Sequence, residues 1–228
     1  MDLVPTSHGL AALSISREGP GAVVLVLHGL GRTPGIEAFF PAELTVAHLE
    51  LPAYVGPTFD RYDQAAIAEA YDEVIAARFA GRRVVVVGIS LGAVIGLALR
   101  AREVVALLAV EPFLDSDRPA LHARIRDTLM VHRPDLSGFL DALLGFHPDR
   151  IERRAYEVRC AAAMWVIAGG ADSALISLTT PEDRGRLDEL GAVVVEAGAG
   201  HDVVGEDPAT FELGVAWALA VGRGGQPG

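Results

Sequence analysis

The chain has 228 residues, a length typical of one globular domain with a sizeable core. Its formal net charge of −11 gives a surface that repels phosphate backbones, which argues against nucleic-acid binding. The apolar runs are too short, or too interrupted by glycine, to span a bilayer, so we expect no stable membrane association. The one cysteine, Cys160, excludes an intrachain disulfide and fits a cytoplasmic protein.

Apolar, β-branched segments of strand length alternate with longer segments of helical periodicity. An N-terminal strand over 10–17, expected to be antiparallel at the sheet edge, comes first. The strands predicted after it cover 22–27, 45–51, 83–87, 104–110, 163–168 and 192–196. The predicted helices cover 60–79, 91–102, 181–190 and 208–220. This alternation predicts an α/β fold whose central sheet is mostly parallel.

One insertion interrupts the alternation. Residues 113–159 are rich in helix formers and contain no convincing strand. An insertion at the carboxyl ends of parallel strands lies over the ligand crevice, so we predict a small helical cap; the alternative is a helix or two packed on the sheet edge. We assign residues 1–221 to a single domain and the Gly/Pro-rich residues 222–228 to a flexible tail.

The strongest motif is Gly88-Ile89-Ser90-Leu91-Gly92, which directly follows a predicted strand and precedes a helix. A nucleophilic serine on such a turn needs small neighbours two residues away on either side, because bulkier side chains would clash. We therefore predict that Ser90 is a nucleophile. The amide of Leu91, at the start of the helix, is a candidate oxyanion donor.

A second glycine-rich segment, His28-Gly29-Leu30-Gly31, follows the strand over 22–27. Gly29 lets the backbone approach a substrate oxygen closely. The amide of Leu30 is the second candidate oxyanion donor. Arg32 follows this loop, where it either binds an acidic group of the substrate or faces solvent.

The candidate acid and base lie downstream. Asp172, in Gly169-Gly170-Ala171-Asp172, follows a strand and is well placed to orient an imidazole. Glu111, after the preceding strand, is an alternative acid, whereas Asp202 is too close in sequence to the base. His201, in a glycine-rich loop, lies downstream of Asp172 and is the predicted general base. The histidines show no metal-binding spacing, so we predict no metal.

These motifs, in the order Ser90, Asp172, His201, resemble the α/β-hydrolase family over nearly the whole chain. The resemblance implies a sheet of about eight strands with a cap after the sixth. It also implies a nucleophilic mechanism without a cofactor, in which an acyl group is transferred from Ser90 to water. It leaves the subfamily undefined.

We therefore expect an esterase whose substrate is a small-molecule ester, apolar and of small or medium size. Phe113 and Leu114 are among the residues expected to bind this substrate. The same triad would equally serve a thioesterase, a lactonase or a C–C bond hydrolase. A small-molecule binding protein with little or no turnover is the alternative from another class. A membrane-surface lipase is a third possibility, which the acidic charge disfavours.

Overall fold

The computed structural model describes residues 1–31, 33, 35–52, 54, 59–147, 150–170 and 177–225. Its centre is one eight-stranded sheet. The strands are β1 (Asp2–Thr6), β2 (Gly9–Arg17), β3 (Val23–Leu27), β4 (Thr45–Leu49), β5 (Val84–Ile89), β6 (Val104–Val110), β9 (Ala163–Gly169) and β10 (Val193–Ala197). Eight strands, six of them consecutive and paired in parallel, confirm the predicted α/β class.

The order of the strands brings several loops to one edge of the sheet. That order is β1-β2-β4-β3-β5-β6-β9-β10, and β2 runs antiparallel to both of its neighbours, β1 and β4. In the parallel part, Leu27 pairs with Gly88 and Val110 pairs with both Ile89 and Ile167. The segments that follow β3, β5, β6 and β9 therefore begin side by side, where ligands bind in open parallel sheets.

Alternate residues of the strands fill two separate cores. Val23, Leu25 and Leu27 belong to one cluster, and Val24 and Val26 belong to the other. Since both faces of these strands are buried, the sequence reads as continuous apolar runs rather than as an alternating pattern. Each fully buried Val or Leu contributes about 1.5–3 kcal/mol of hydrophobic free energy.

Helices cover both faces of the sheet. They are α1 (Gln64–Arg78), α2 (Leu91–Gly96), α6 (Pro181–Glu189), α7 (Val203–Glu206) and α8 (Pro208–Gly222). Capping residues fix where they start. Asp63 accepts a hydrogen bond from the amide of Ala66 at the start of α1, and Thr180 and Asp183 form a capping box on α6.

Residues 113–159, which we name the cap segment, connect β6 to β9. The segment contains α3 (Pro119–Arg124), a π-helical turn (Ile125–Leu129), α4 (Met130–His132), a 3₁₀ turn (Pro134–Leu136), α5 (Ser137–Leu144) and the short strands β7 (Phe146–His147) and β8 (Arg150–Ile151). These two strands were not predicted from the sequence, and within the described residues they pair with each other.

The two ends of the cap segment are bonded together in a narrow neck. Asp115 and Ala155 form an antiparallel bridge, and the amide of Ser116 donates to the carbonyl of Arg154 at 2.8 Å. The amide of Tyr156 donates to the carbonyl of Leu114 at 3.0 Å. The cap segment therefore leaves and re-enters the sheet at nearly the same place.

Two sequence predictions need correction. The strand predicted over 10–17 is β2, which is not an edge strand because β1 pairs with its outer side. The predicted helix over 91–102 ends at Gly96. Its continuation is diverted because the carbonyl of Leu97 accepts the amides of Arg159 and Cys160, at 2.7 and 2.9 Å, as the chain returns to β9. Within the described ranges, no helix is both long enough and apolar enough to cross a bilayer.

Candidate active site

Ser90 lies on a strained turn between β5 and α2. Its φ of 53° is in the left-handed region, which non-glycine residues rarely adopt. The amide of Ser90 donates to the carbonyl of Val110 at 2.8 Å, so the turn is tied to the neighbouring strand β6. This backbone holds the serine side chain at the carboxyl edge of the sheet and places Leu91 at the first position of α2.

The loop after β3 lies directly against Ser90. A Cβ atom built on Gly29 would be 3.1 Å from Cβ of Ser90 and 3.2 Å from the carbonyl oxygen of Ile89. A side chain at this position would push the loop away from the serine, so glycine permits the close approach. Leu30, the next residue, is half-buried and packs against the core.

Two histidines support this loop from behind. His28 and His48 are both 6% exposed, and their rings are nearly parallel with centroids 5.1 Å apart. Nε2 of His28 lies 2.9 Å from Nδ1 of His48, and Nε2 of His48 lies 3.1 Å from a carboxylate oxygen of Glu37. The partners of His28 were not evident in the sequence, because they come from a different strand and turn.

Tyr54 connects the same loop to the cap segment. Its hydroxyl donates to the carbonyl of Leu30 at 2.8 Å, its ring meets Phe139 of α5 edge-on, and the Arg133 guanidinium lies 5.4 Å from its ring centroid. Burial raises the pKa of Tyr54 to about 12, so the hydroxyl remains a donor at neutral pH. No motif marked Tyr54 in the sequence.

His201 lies in the loop between β10 and α7, and this loop is fixed to the end of β9. The amide of Gly170 donates to the carbonyls of Ala197 and Ala199, at 3.1 and 2.7 Å. The His201 side chain is 16% exposed, and its Nδ1 lies 3.4 Å from Oε2 of Glu111. The imidazole is therefore placed between the sheet and the surface, with one nitrogen directed at a carboxylate.

Glu111 directly follows β6 and is completely buried. Its Oε1 accepts the amide of Gly169 at 2.5 Å and the hydroxyl of Ser177 at 2.7 Å. Its Oε2 accepts the amide of Leu178 at 2.6 Å and faces His201. Burial alone would raise the pKa of the Glu111 carboxyl, but the hydrogen bonds from His201, Gly169, Ser177 and Leu178 outweigh it and lower the pKa.

The other predicted site residues fall into two groups. Asp172 and Arg32 lie outside the described residues, so their roles stay predictions. Phe113 and Leu114 are both buried in the apolar core, where the Phe113 ring packs edge-on against Tyr156. Contact of these two side chains with substrate also stays a prediction.

Carboxylates close to His201 in sequence have other partners. Asp202 accepts the amide of Gly205 at 3.1 Å and so caps α7. Glu206 accepts the amide of Gly200 at 3.1 Å. Among the side chains that the structure describes, no group of three or more His, Cys, Asp or Glu residues is arranged to hold a metal ion.

A strained serine turn against a glycine loop at the carboxyl edge of an eight-stranded α/β sheet, together with a loop after β10 whose histidine faces a buried carboxylate, defines an α/β-hydrolase architecture. The model of the alpha/beta hydrolase family matches residues 23–212. The chain belongs to this family. The family resemblance inferred from the motifs is thus confirmed.

Solved structures share the fold at low sequence identity. A carboxylesterase from Bacillus subtilis is 14% identical with a TM-score of 0.68, covering 99% of this chain and 92% of that one. An enol-lactonase from Burkholderia xenovorans is 17% identical with a TM-score of 0.63, covering 92% and 96%. A deformylase for N-formylmaleamic acid from Pseudomonas putida is 16% identical with a TM-score of 0.61, covering 91% and 96%. No curated protein matches the sequence.

Proposed function

We propose that this protein is a serine hydrolase that cleaves a carboxylic ester of a small or medium apolar substrate. The observation that carries the proposal is the backbone of Ser90, whose φ of 53° places the serine on a strand-to-helix turn beside the Gly29 loop. Such a turn costs about 1–3 kcal/mol, and strain of this kind collects at functional sites.

The mechanism uses two protein groups for proton transfer and attack. His201 removes the proton of the Ser90 hydroxyl as its Oγ attacks the carbonyl carbon of the ester, and the amides of Leu30 and Leu91 stabilise the oxyanion. His201 then protonates the departing alkoxide, which leaves an acyl group on Ser90. Finally, His201 takes a proton from water, the resulting hydroxide attacks the acyl carbon, and the acid is released as Ser90 recovers its proton.

The surroundings of the oxyanion loop favour an apolar, uncharged substrate. Leu30, Tyr54 and Tyr62 are partly buried and pack against the core, and both tyrosine rings contact Phe139 of the cap segment. The net charge of −11 disfavours the approach of anionic substrates. The carboxylesterase among the similar structures is compatible with ester cleavage, whereas the enol-lactonase and the deformylase make cyclic esters and amides the first alternatives to assay.

A fluorophosphonate probe tests this proposal directly. We expect stoichiometric labelling of the wild-type protein, loss of labelling in Ser90→Ala, and retained labelling in the control Ser137→Ala, which alters a serine on the first turn of α5. Unlabelled wild-type protein is then assayed with esters, thioesters, lactones and amides of increasing acyl length. Folded wild-type protein that takes no label would overturn the serine-hydrolase proposal.

The contact between Tyr54 and Leu30 gives a smaller predicted effect. Tyr54→Phe removes the hydroxyl that fixes the Leu30 carbonyl but keeps the ring contacts. Because a hydrogen bond of this kind is worth about 1 kcal/mol, we expect kcat for ester hydrolysis to fall by about 3- to 10-fold with little change in KM.

Steady-state kinetics with a chromogenic ester would measure this effect. The matched control is Tyr62→Phe, which alters a second tyrosine packed on Phe139. Equal rates for Tyr54→Phe and Tyr62→Phe would show that the Tyr54 hydroxyl does not help to place the oxyanion loop.

A further inference from the structure

Glu111 is a negative charge placed entirely inside the protein, directly after β6. An ionised carboxylate removed from water costs several kcal/mol unless hydrogen bonds compensate it. The amides of Gly169 and Leu178 and the hydroxyl of Ser177 supply that compensation, at 2.5–2.7 Å. The carboxylate is thus held in one orientation, with Oε2 turned to Nδ1 of His201.

The backbone of Glu111 is strained in the same way as that of Ser90. Their φ values are 52° and 53°, and within the described part of the chain these two are the non-glycine residues with positive φ. They stand one residue beyond the paired residues Val110 and Ile89 on adjacent strands. A buried carboxylate that only braced a loop would not require this unfavourable backbone, whereas a carboxylate that must be aimed at one atom would.

The hydrogen bonds to Glu111 also determine the protonation state of the carboxyl group that faces His201. Since they lower the pKa of Glu111 despite its burial, the group is a carboxylate at neutral pH and acts only as an acceptor. An acceptor at Nδ1 requires that this nitrogen carry a proton. The other nitrogen, Nε2, is then the one free to accept a proton from Ser90.

We propose that Glu111, rather than Asp172, is the acid of the triad: it fixes the tautomer and orientation of His201 and stabilises the imidazolium that forms during catalysis. The proposal rests on the proposed function and assigns a positioning residue to it. The separation of 3.4 Å is longer than that of a strong hydrogen bond. Asp202 and Glu206 are not alternative triad acids, because each accepts a hydrogen bond from a backbone amide close to it in sequence.

Paired variants separate the two acids. We expect Glu111→Gln to lower kcat by on the order of 10³- to 10⁴-fold and Asp172→Asn to lower it less than about threefold, because loss of a triad carboxylate has effects of the former size. Glu111→Asp, which keeps the charge, should retain at least about tenfold more activity than Glu111→Gln. A large loss in Asp172→Asn overturns the proposal.

The pH dependence of kcat/KM gives a readout that a purely structural role would not move. Without the Glu111 carboxylate the imidazolium is less stabilised, so the acidic limb of the profile should shift to lower pH in Glu111→Gln. The limb should keep its position in Asp172→Asn. A shift in Asp172→Asn, or none in a folded Glu111→Gln protein, contradicts the assignment.

Glu111→Gln places the NH2 group of an amide against hydrogen-bond donors that the carboxylate accepts from. This mismatch can prevent the variant from folding. A measurement on Asp172→Asn in the Ser90→Ala background avoids this difficulty. We expect the downfield imidazole N–H proton signal of His201 to persist in this protein, and its disappearance would identify Asp172 as the partner. The imidazole N–H signal tests the assignment of the acid, and fluorophosphonate labelling of the wild type tests the proposed function. Because the two measurements are independent, failure of one proposal is distinguishable from failure of the other.

Discussion

Replacing His201 with alanine is expected to lower kcat for ester hydrolysis by on the order of 10⁶-fold, the size of effect found when a triad base is removed. The reason is that the Ser90 hydroxyl is a weak nucleophile unless a neighbouring base takes its proton. The same variant should lose fluorophosphonate labelling while keeping its circular dichroism spectrum, since the His201 side chain is partly exposed and lies in a loop.

A double variant of Ser90 and His201 tests whether the two residues act together. Because the nucleophile and the base act as a unit, Ser90→Ala, His201→Ala and the combined variant should share nearly the same residual rate. His132→Ala, an exposed histidine of α4, is the matched control and should retain wild-type activity. Multiplicative losses in the double variant would indicate that Ser90 and His201 act independently and that the mechanism is wrong.

Replacing Gly92 with alanine should strongly destabilise the protein, because the added methyl group would meet the backbone at the end of β3. A Cβ atom there would lie 2.0 Å from the carbonyl oxygen of Leu27 and 2.7 Å from that of His28. Because both contacts are to backbone, relief requires α2 to separate from β3, and overpacking of this kind costs about 3 kcal/mol or more. For a protein of this size, that corresponds to a fall in Tm of roughly 6–12 °C.

Thermal denaturation would test the expectation, with Gly185→Ala as the control. Gly185 lies in α6 with nothing within 4 Å of a built Cβ, so alanine there should stabilise slightly through its better helix propensity. Equal melting temperatures for Gly92→Ala and the wild type would mean that α2 and β3 do not meet as closely as described. Gly92→Ala should also reduce labelling of Ser90, since the turn that holds the serine would move.

Most of the sheet could be predicted because its central parallel strands are buried on both faces. Val23–Leu27 is continuously apolar and is followed by His28 and Gly29, and Val104–Val110 lies between Glu103 and Glu111, which makes their limits visible. β1 escaped prediction for the opposite reason: only Val4 of its five residues is buried, and it contains Pro5, which an edge strand tolerates.

Candidate site residues could be recognised in the sequence where their signal is local, but not where the site depends on distant partners. Ser90 is marked by glycines two residues away on both sides, and His201 by the glycine loop around it. The acid is different, because a carboxylate after either of two neighbouring strands satisfies the same sequence pattern. Only the packing of the loops after β6, β9 and β10 brings Nδ1 of His201 to Glu111, and that packing has no local signature.

The neck of the cap segment has an evolutionary consequence. Because its two ends are joined by the bridge between Asp115 and Ala155, the chain between them can be exchanged for another of different length without altering the spacing of β6 and β9. Ser90 and Glu111 belong to the sheet side of that junction. If the proposed site is correct, we expect substrate preference to change when new caps are grafted onto the same Ser90 and Glu111, and chimaeras joined at this bridge are a natural starting point for engineering.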